Sequence, residues 1–387
     1  MSEDWRFGGF GLYIHWPFCA AKCPYCDFNS HVSANIEMED WRHAYGREIA
    51  RYAGDTGPRI LNSVYFGGGT PSLMAPEVVE TAIDAAAHHW TFANDIEITL
   101  EANPTSVEAG RFADYRQAGV SRVSLGVQAL NDADLRRLGR LHDVKTALTA
   151  LETARSAFDR VNFDLIYARQ DQSLADWRHE LTTALGFAPD HLSLYQLTIE
   201  NGTAFGDRYR RGKLPGLPDE DLAADMFFLT QDLCDRAGLP AYEVSNHAVS
   251  GQESRHNLIY WQGGDYVGIG PGAHGRLTLG GRRFATTTEF MPAKWLAQVL
   301  GTGCGEAARE ALSPNDHASE YLMMSLRTTE GSSLPRLADI GGAPINTSYI
   351  NELVDMGLLE QSRDRLRATP QGRAVLNAVI TKLLPDP

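Results

Sequence analysis

Three cysteines, Cys19, Cys23 and Cys26, fall within eight positions in the stretch CAAKCPYCDF. Thiolates are soft ligands, and cysteines set this close select zinc or an iron–sulfur cluster. The pattern CxxxCxxC offers three ligands, whereas structural zinc and cubane clusters usually take four. Cys234 and Cys304 lie more than two hundred residues further on and are expected to be buried free thiols. His15 and His31 are near enough in sequence to complete a zinc site. The other reading is a [4Fe-4S] cluster on three thiolates, with one iron left for an exogenous ligand, just as a catalytic metal keeps a position open.

The elements that would position such a site alternate. Strand-like runs GLYIHW, SVYFGG, DIEITLEAN, RVSLGVQAL, RVNFDLIYA and HLSLYQLTIE are separated by helical stretches such as EDWRHAYGREIARYAG, APEVVETAIDAAAHHW, VEAGRFADYRQAG, DVKTALTALETARSAF and SLADWRHELTTALGF. Six βα units in succession predict an α/β fold with a parallel sheet covered by helices, curled into a partial TIM-like (β/α)6 barrel that carries functional side chains at its strand carboxyl ends. An open doubly wound sheet would also place ligands there. Gly67 to Thr70, Glu101, Asn103, Gln128 and Asp164 all fall at such ends.

The expected domains are a barrel over residues 1–215, an extension over 216–309 beginning at the Pro/Gly/Asp-rich stretch KLPGLPDED, and a C-terminal unit over 310–387. In the last, two helices, a short hairpin (LLEQSRDRLRATP) and a final helix follow the order of a winged helix. DNA binding is disfavoured there, because ten Asp or Glu stand against seven Lys or Arg from Glu310 onward. GIGPGAH (268–274) fails as a dinucleotide loop for want of a following βαβ unit. His88 and His89 end an amphipathic helix and are expected at the surface.

A formal net charge of −14 argues against a nucleic-acid partner, whose phosphates require Lys and Arg. No run of about 18 apolar residues could cross a bilayer. The acidic start MSED lacks the basic n-region of a signal peptide, so a cytoplasmic location is expected. Five cysteines, three of them clustered, suit a metal site in a reducing compartment better than a disulfide framework.

With an aromatic residue before its third cysteine, the motif Cys19, Cys23, Tyr25, Cys26 resembles the radical S-adenosylmethionine (SAM) signature. The resemblance implies a [4Fe-4S] cluster on the three cysteines and SAM on the unique iron. GGGTPS (67–72) resembles the superfamily's glycine motif, implicating Gly68, Gly69 and Thr70 in holding the methionine end of SAM. Glu101 in LEANP, Gln128 in LGVQ, Arg140 in LGRLH and Asp164 in NFDLIY match cofactor contacts of the oxygen-independent coproporphyrinogen oxidases and their relatives, as do Tyr13 and the loop residue Ala273. In the roles so implied, Glu101 accepts from the SAM ammonium, Arg140 pairs with its carboxylate, and Asp164 or Gln128 bonds ribose hydroxyls.

Within that family the oxidases carry a fourth cysteine two positions after the third, where this chain has Phe28. The departure puts oxidase activity in doubt and resembles the heme-chaperone branch, as does HNLIYW (256–261), which matches an HNxxYW motif linked to heme binding. The resemblance implies heme as a third cofactor, with His256 as iron ligand, Asn257 in the motif, and Tyr260 and Trp261 as flat partners for a porphyrin face. The partners implied are heme-accepting respiratory proteins, encountered in the cytoplasm or at the membrane surface, an electron donor for the cluster and, as an option, a second copy of the chain. The competing reading is the coproporphyrinogen III oxidase of porphyrin biosynthesis; radical chemistry on RNA is weaker still.

Overall fold

The segment Phe10–Trp16 (β1) is buried at six of its seven positions, as a strand covered on both faces must be. In the computed structural model, which describes residues 3–33 and 35–384, it lies inside an eleven-stranded sheet. The strands are Ile60–Gly68 (β2), Thr91–Ala102 (β3), Arg122–Gln128 (β4), Arg160–Tyr167 (β5), His191–Gln196 (β6), Asn246–Ala248 (β7), Asp265–Ile269 (β8), His274–Leu279 (β9), Arg282–Thr288 (β10) and Glu306–Ala311 (β11), together with β1. Their spatial order is β11-β10-β9-β8-β1-β2-β3-β4-β5-β6-β7.

All six expected strands form and pair in parallel from β1 to β6. A seventh parallel strand, β8, comes from far downstream and pairs with the free edge of β1. Wholly buried, it removes an edge that would otherwise offer unpaired backbone groups. β7 closes the opposite edge antiparallel, and β9 to β11 continue the sheet as an antiparallel meander.

Two local expectations give way. The stretch 107–119 is not one helix: Ser106–Ala109 and Phe112–Gln117 are separate, with Gly110 between them. KLPGLPDED is mostly exposed, but its Leu214 is buried with Phe205, Leu135 and Ile166 in a small core against which Tyr25 also packs. That stretch therefore helps to hold the cysteine loop. Cys234 is buried as expected, whereas Cys304, just past the left-handed cap Gly303, is half-exposed. His88 and His89 are exposed at the end of the helix Pro76–His89.

The C-terminal residues form their own core of Leu322, Leu326, Ile350, Leu353, Leu366 and Ile380. Around it the helix Pro314–Ser325, a three-stranded sheet and the helix Leu376–Leu383 follow winged-helix order. No helix among the described residues is long and apolar enough to cross a membrane.

Candidate functional site

The ends of β1 and β2 bring the cysteine loop and the glycine loop together. Gly69 N–H donates to the Trp16 carbonyl at 2.7 Å and Thr70 N–H to the Phe18 carbonyl at 2.8 Å. A Cβ on Gly68, whose φ is +110°, would stand 2.6 Å from the His15 ring, and one on Gly69 would stand 2.6 Å from the Phe18 carbonyl oxygen. These two glycines are thus required first by the chain's own packing on the segment that leads into the cysteines.

Cys19, Cys23 and Cys26 are half-buried. The Thr70 hydroxyl donates to Cys19 Sγ at 3.4 Å, and Arg140 Nη1 donates to Cys23 Sγ at 3.3 Å. Burial pushes the Cys19 and Cys26 thiols up from their ordinary values. Among the described residues no three His, Cys, Asp or Glu side chains are grouped closely enough to hold a single metal ion. His15 is no zinc ligand in this arrangement: Nε2 lies 2.9 Å from the Asn29 carbonyl and Nδ1 lies 3.0 Å from the Tyr13 hydroxyl. His31 Nε2 is likewise taken, 2.8 Å from Asn29 Oδ1.

Three further expected residues lie at the strand ends and loops nearby, of which Arg140 contacts the cysteine loop directly. Gln128 has φ of +70° at a register shift in β4, a left-handed conformation that a non-glycine residue adopts at some cost and that is typical of functional sites. Arg140 also donates to the Gly126 carbonyl at 3.0 Å and to Asn103 Oδ1, so both Nη groups are engaged within the protein. Only its Nε lacks a partner among the described residues, and the expected pairing with a carboxylate would have to compete with these bonds. Ala273 is buried, its N–H donating to Thr288 Oγ1 at 2.8 Å, in a loop whose Gly270 and Gly272 let it close on His15 and Asn29.

Below the cysteine loop, a cavity of about 450 Å³ opens inside the barrel, lined by Tyr13, Tyr65, Glu101, Arg122, Asp164 and His256, among others. Tyr65 donates to Glu101 Oε1 at 2.7 Å. Burial, reinforced by Asp164 against the pull of hydrogen bonds from Tyr65 and the Gly68 N–H, raises the Glu101 carboxyl from 4.5 to about 7. Burial likewise raises Asp164 to about 6, although Ser193 and Ser124 donate to it. Two carboxyl groups held near neutrality and only partly bonded suit a ligand that brings an ammonium and hydroxyls.

The HNxxYW motif opens into the same cavity. His256, Asn257, Tyr260 and Trp261 all line it, carried on the helix Arg255–Trp261. His256 stacks on Tyr65 and is neutral, since burial, aided by the Arg122 charge, lowers its ring to about 3. Both its nitrogens are occupied: Nδ1 lies 2.8 Å from Ser63 Oγ and Nε2 lies 3.2 Å from the Tyr260 hydroxyl. Tyr260 is not a free flat surface, because its ring lies 4.1 Å from that of Tyr266 and meets His256 edge-on. Trp261 Nε1 has no partner among the described residues; the same is true of Thr99 Oγ1, Asn162 Oδ1, His191 Nδ1 and Asn246 Oδ1, which also line the cavity.

Residues 13–182 match the Radical SAM superfamily, and residues 312–375 match the HemN C-terminal domain. The chain is 40% identical to mouse "Radical S-adenosyl methionine domain-containing protein 1, mitochondrial", over 97% of this chain and 87% of that protein. It is 36% identical to Escherichia coli "Heme chaperone HemW", over 97% of this chain and 98% of that protein. The chain belongs to the HemW family of radical SAM proteins. Its fold matches that of the E. coli coproporphyrinogen III oxidase HemN, a radical SAM enzyme, with a TM-score of 0.80 at 21% identity, covering 99% of this chain and 92% of that one.

In this HemW-family chain the expected site residues fall into two groups. Cys19, Cys23, Tyr25 and Cys26 form the cysteine loop, and Thr70 and Arg140 bond to it. Gly68 and Gly69 pack on the segment leading into it, Gln128 lies beside Gly126 near Arg140, and Ala273 lies in the loop that closes on His15 and Asn29. Tyr13, Glu101, Asp164 and the motif residues face the cavity. Glu101, which accepts from Gly68 N–H, joins the two. Motif reading gave no role to Tyr65, Asn103, Glu97 and Glu108, which act through neighbours distant in the chain. Only Asn103, beside Glu101 at a strand end, carried a hint in its position.

Proposed function

We propose that this chain is a heme chaperone that holds a [4Fe-4S] cluster on Cys19, Cys23 and Cys26, binds SAM beside it, and passes heme to acceptor proteins such as respiratory cytochromes. The observation that carries the reading is that the HNxxYW segment and the carboxyls Glu101 and Asp164 share one cavity. SAM would be held by Gly68, Gly69 and Thr70 at its methionine end, by Glu101 at its ammonium and by Asp164 and Gln128 at its ribose. The cluster, when bound, supplies an electron that can cleave SAM. His256 is the proposed iron ligand, and it becomes one only when Ser63 or Tyr260 turns away from its ring. The relatives named as heme chaperones, and the presence of Phe28 in place of a fourth cysteine, support this reading over the oxidase. Phe28 is 57% exposed, so the side chain at this position points to solvent.

The oxidase reading rests on the same cavity, where a radical formed from SAM held at Glu101 and Asp164 would meet a substrate. Protein reconstituted anaerobically and given coproporphyrinogen III, SAM and a reductant separates the two. The chaperone reading expects no protoporphyrinogen together with a saturable Soret band on heme titration; competent turnover to protoporphyrinogen would replace it with the oxidase.

A further inference from the structure

Asn103 touches neither a cysteine nor the cavity, yet its side-chain amide lies between the two groups that donate to cluster thiols. Its Nδ2 donates to Thr70 Oγ1 at 3.1 Å, and its Oδ1 accepts from Arg140 Nη2. The direction of every bond in this chain is determined. A guanidinium only donates, so the amide oxygen must face Arg140 and the amide N–H must face Thr70. The Thr70 oxygen is then an acceptor, which turns its single hydrogen toward Cys19 Sγ, 3.4 Å away. Arg140 meanwhile places Nη1 3.3 Å from Cys23 Sγ. The backbone of Asn103 is itself fixed, its N–H donating at 2.8 Å to the buried carboxylate of Glu108, which also accepts from Ser72 in the glycine loop.

We propose that Asn103 is a positioning residue for the cluster, an amide relay that aims the Thr70 hydroxyl at Cys19 and holds the Arg140 guanidinium against Cys23. The proposal rests on the cluster reading of the three cysteines. Hydrogen bonds donated to thiolate sulfur stabilise the more negative, reduced state of an iron–sulfur cluster and so raise its potential. Bonds in a chain polarise one another, and the charge of Arg140 therefore strengthens the donor at Cys19 through Asn103. Glu108 extends the same network to Ser72, tying the cluster's donors to the glycine loop.

The test is a potentiometric titration of the reconstituted full chain followed by electron paramagnetic resonance, with iron and sulfide content measured alongside. Asn103→Leu is close in size, uncharged and without hydrogen bonds, and Thr70→Val removes the last donor of the relay. Asn103→Ala reads the same contact if the leucine disturbs the loop. Each variant should load its cluster and show a midpoint shifted to more negative potential, and the double variant should shift by less than the sum. An unchanged midpoint in a loaded Asn103 variant, or shifts that add fully, would overturn the proposal. Wild-type protein that takes up no cluster would instead overturn the reading beneath it.

Discussion

The ring of Tyr65 stacks on that of His256, with centroids 4.7 Å apart and planes 18° from parallel. The hydroxyl of the same tyrosine donates to Glu101 at 2.7 Å. One side chain on β2 thus joins the proposed SAM ammonium site to the proposed heme ligand, and its two functions can be separated. Tyr65→Phe keeps the stack and removes a hydrogen bond to a charged acceptor, which contributes roughly 1.5–3 kcal/mol. SAM affinity measured by calorimetry should weaken about tenfold or more, while the heme titration stays near wild type. Tyr65→Leu should perturb both; equal effects of the two substitutions on heme would show that the stack does not matter.

The Glu101 carboxyl, raised by burial to about 7, sets a pH dependence for SAM binding. An ammonium ligand requires the carboxylate, so below about pH 7 binding must first remove a proton. Affinity should then rise about tenfold per pH unit between pH 5.5 and 6.5 and level off above 7. For the ligand-free protein the sign reverses. A carboxyl whose folded value lies above its ordinary 4.5 makes the fold less stable as pH climbs from there to about 7. Glu101→Gln should therefore abolish the slope in SAM affinity and flatten the loss of apo stability over the same window.

Much of this was legible in the sequence because the local signals were strong. Buried parallel strands read as continuous apolar runs, and each of the six upstream runs became a strand of the sheet. The cysteine spacing and the glycine loop are short-range patterns, and the structure brings them together through β1 and β2. What could not be read depends on partners remote in the chain. Nothing near Asp265 shows that its strand will pair with Phe10–Ile14. The stretch around Leu214 has linker composition and is mostly exposed, yet Leu214 itself is buried against Phe205 and Ile166. His256 carries a motif, but its occupied nitrogens depend on Ser63, 193 positions away, which no local pattern announces.

Glu97 is the clearest such case and supports a third prediction. Its carboxylate, almost wholly buried, pairs with Arg160 at 2.6 Å and Arg122 at 3.3 Å, and accepts from the backbone N–H groups of Arg255 at 3.0 Å and His256 at 3.4 Å. Arg160 also donates to the carbonyls of Gln252 and Glu253, so this cluster clasps the turn that leads into the HNxxYW helix. Glu97→Ala leaves two arginines facing a hole and should cost about 3–5 kcal/mol, read as a lowered Cm in urea. Glu97→Gln keeps the shape and part of the hydrogen bonding, so it should cost less. In both variants the heme spectrum should move further from wild type than SAM affinity does, since the change reaches His256 before it reaches Glu101.

A second buried ion pair ties the C-terminal unit to the barrel. Arg336 donates to both carboxylate oxygens of Asp4, at 2.6 and 2.8 Å, and reaches the Gly263 carbonyl at 3.2 Å, two residues past the HNxxYW helix. The guanidinium also lies 4.3 Å from the centroid of Tyr321 in the C-terminal unit. Because the carbonyls of Gln262 and Gly263 remain as acceptors when Asp4 is removed, Asp4→Ala strips the charge partner but not every hydrogen bond. Arg336→Ala strips both and uncovers Asp4 and two carbonyls at once, so it should be the more damaging substitution. The C-terminal unit has a hydrophobic core of its own, and the loss should therefore appear as loosened docking rather than as its unfolding. Limited proteolysis should cut between residues 302 and 316 sooner in Arg336→Ala than in wild type, with Asp4→Ala between them. Identical cleavage rates in all three would show that apolar contacts alone hold the two units together.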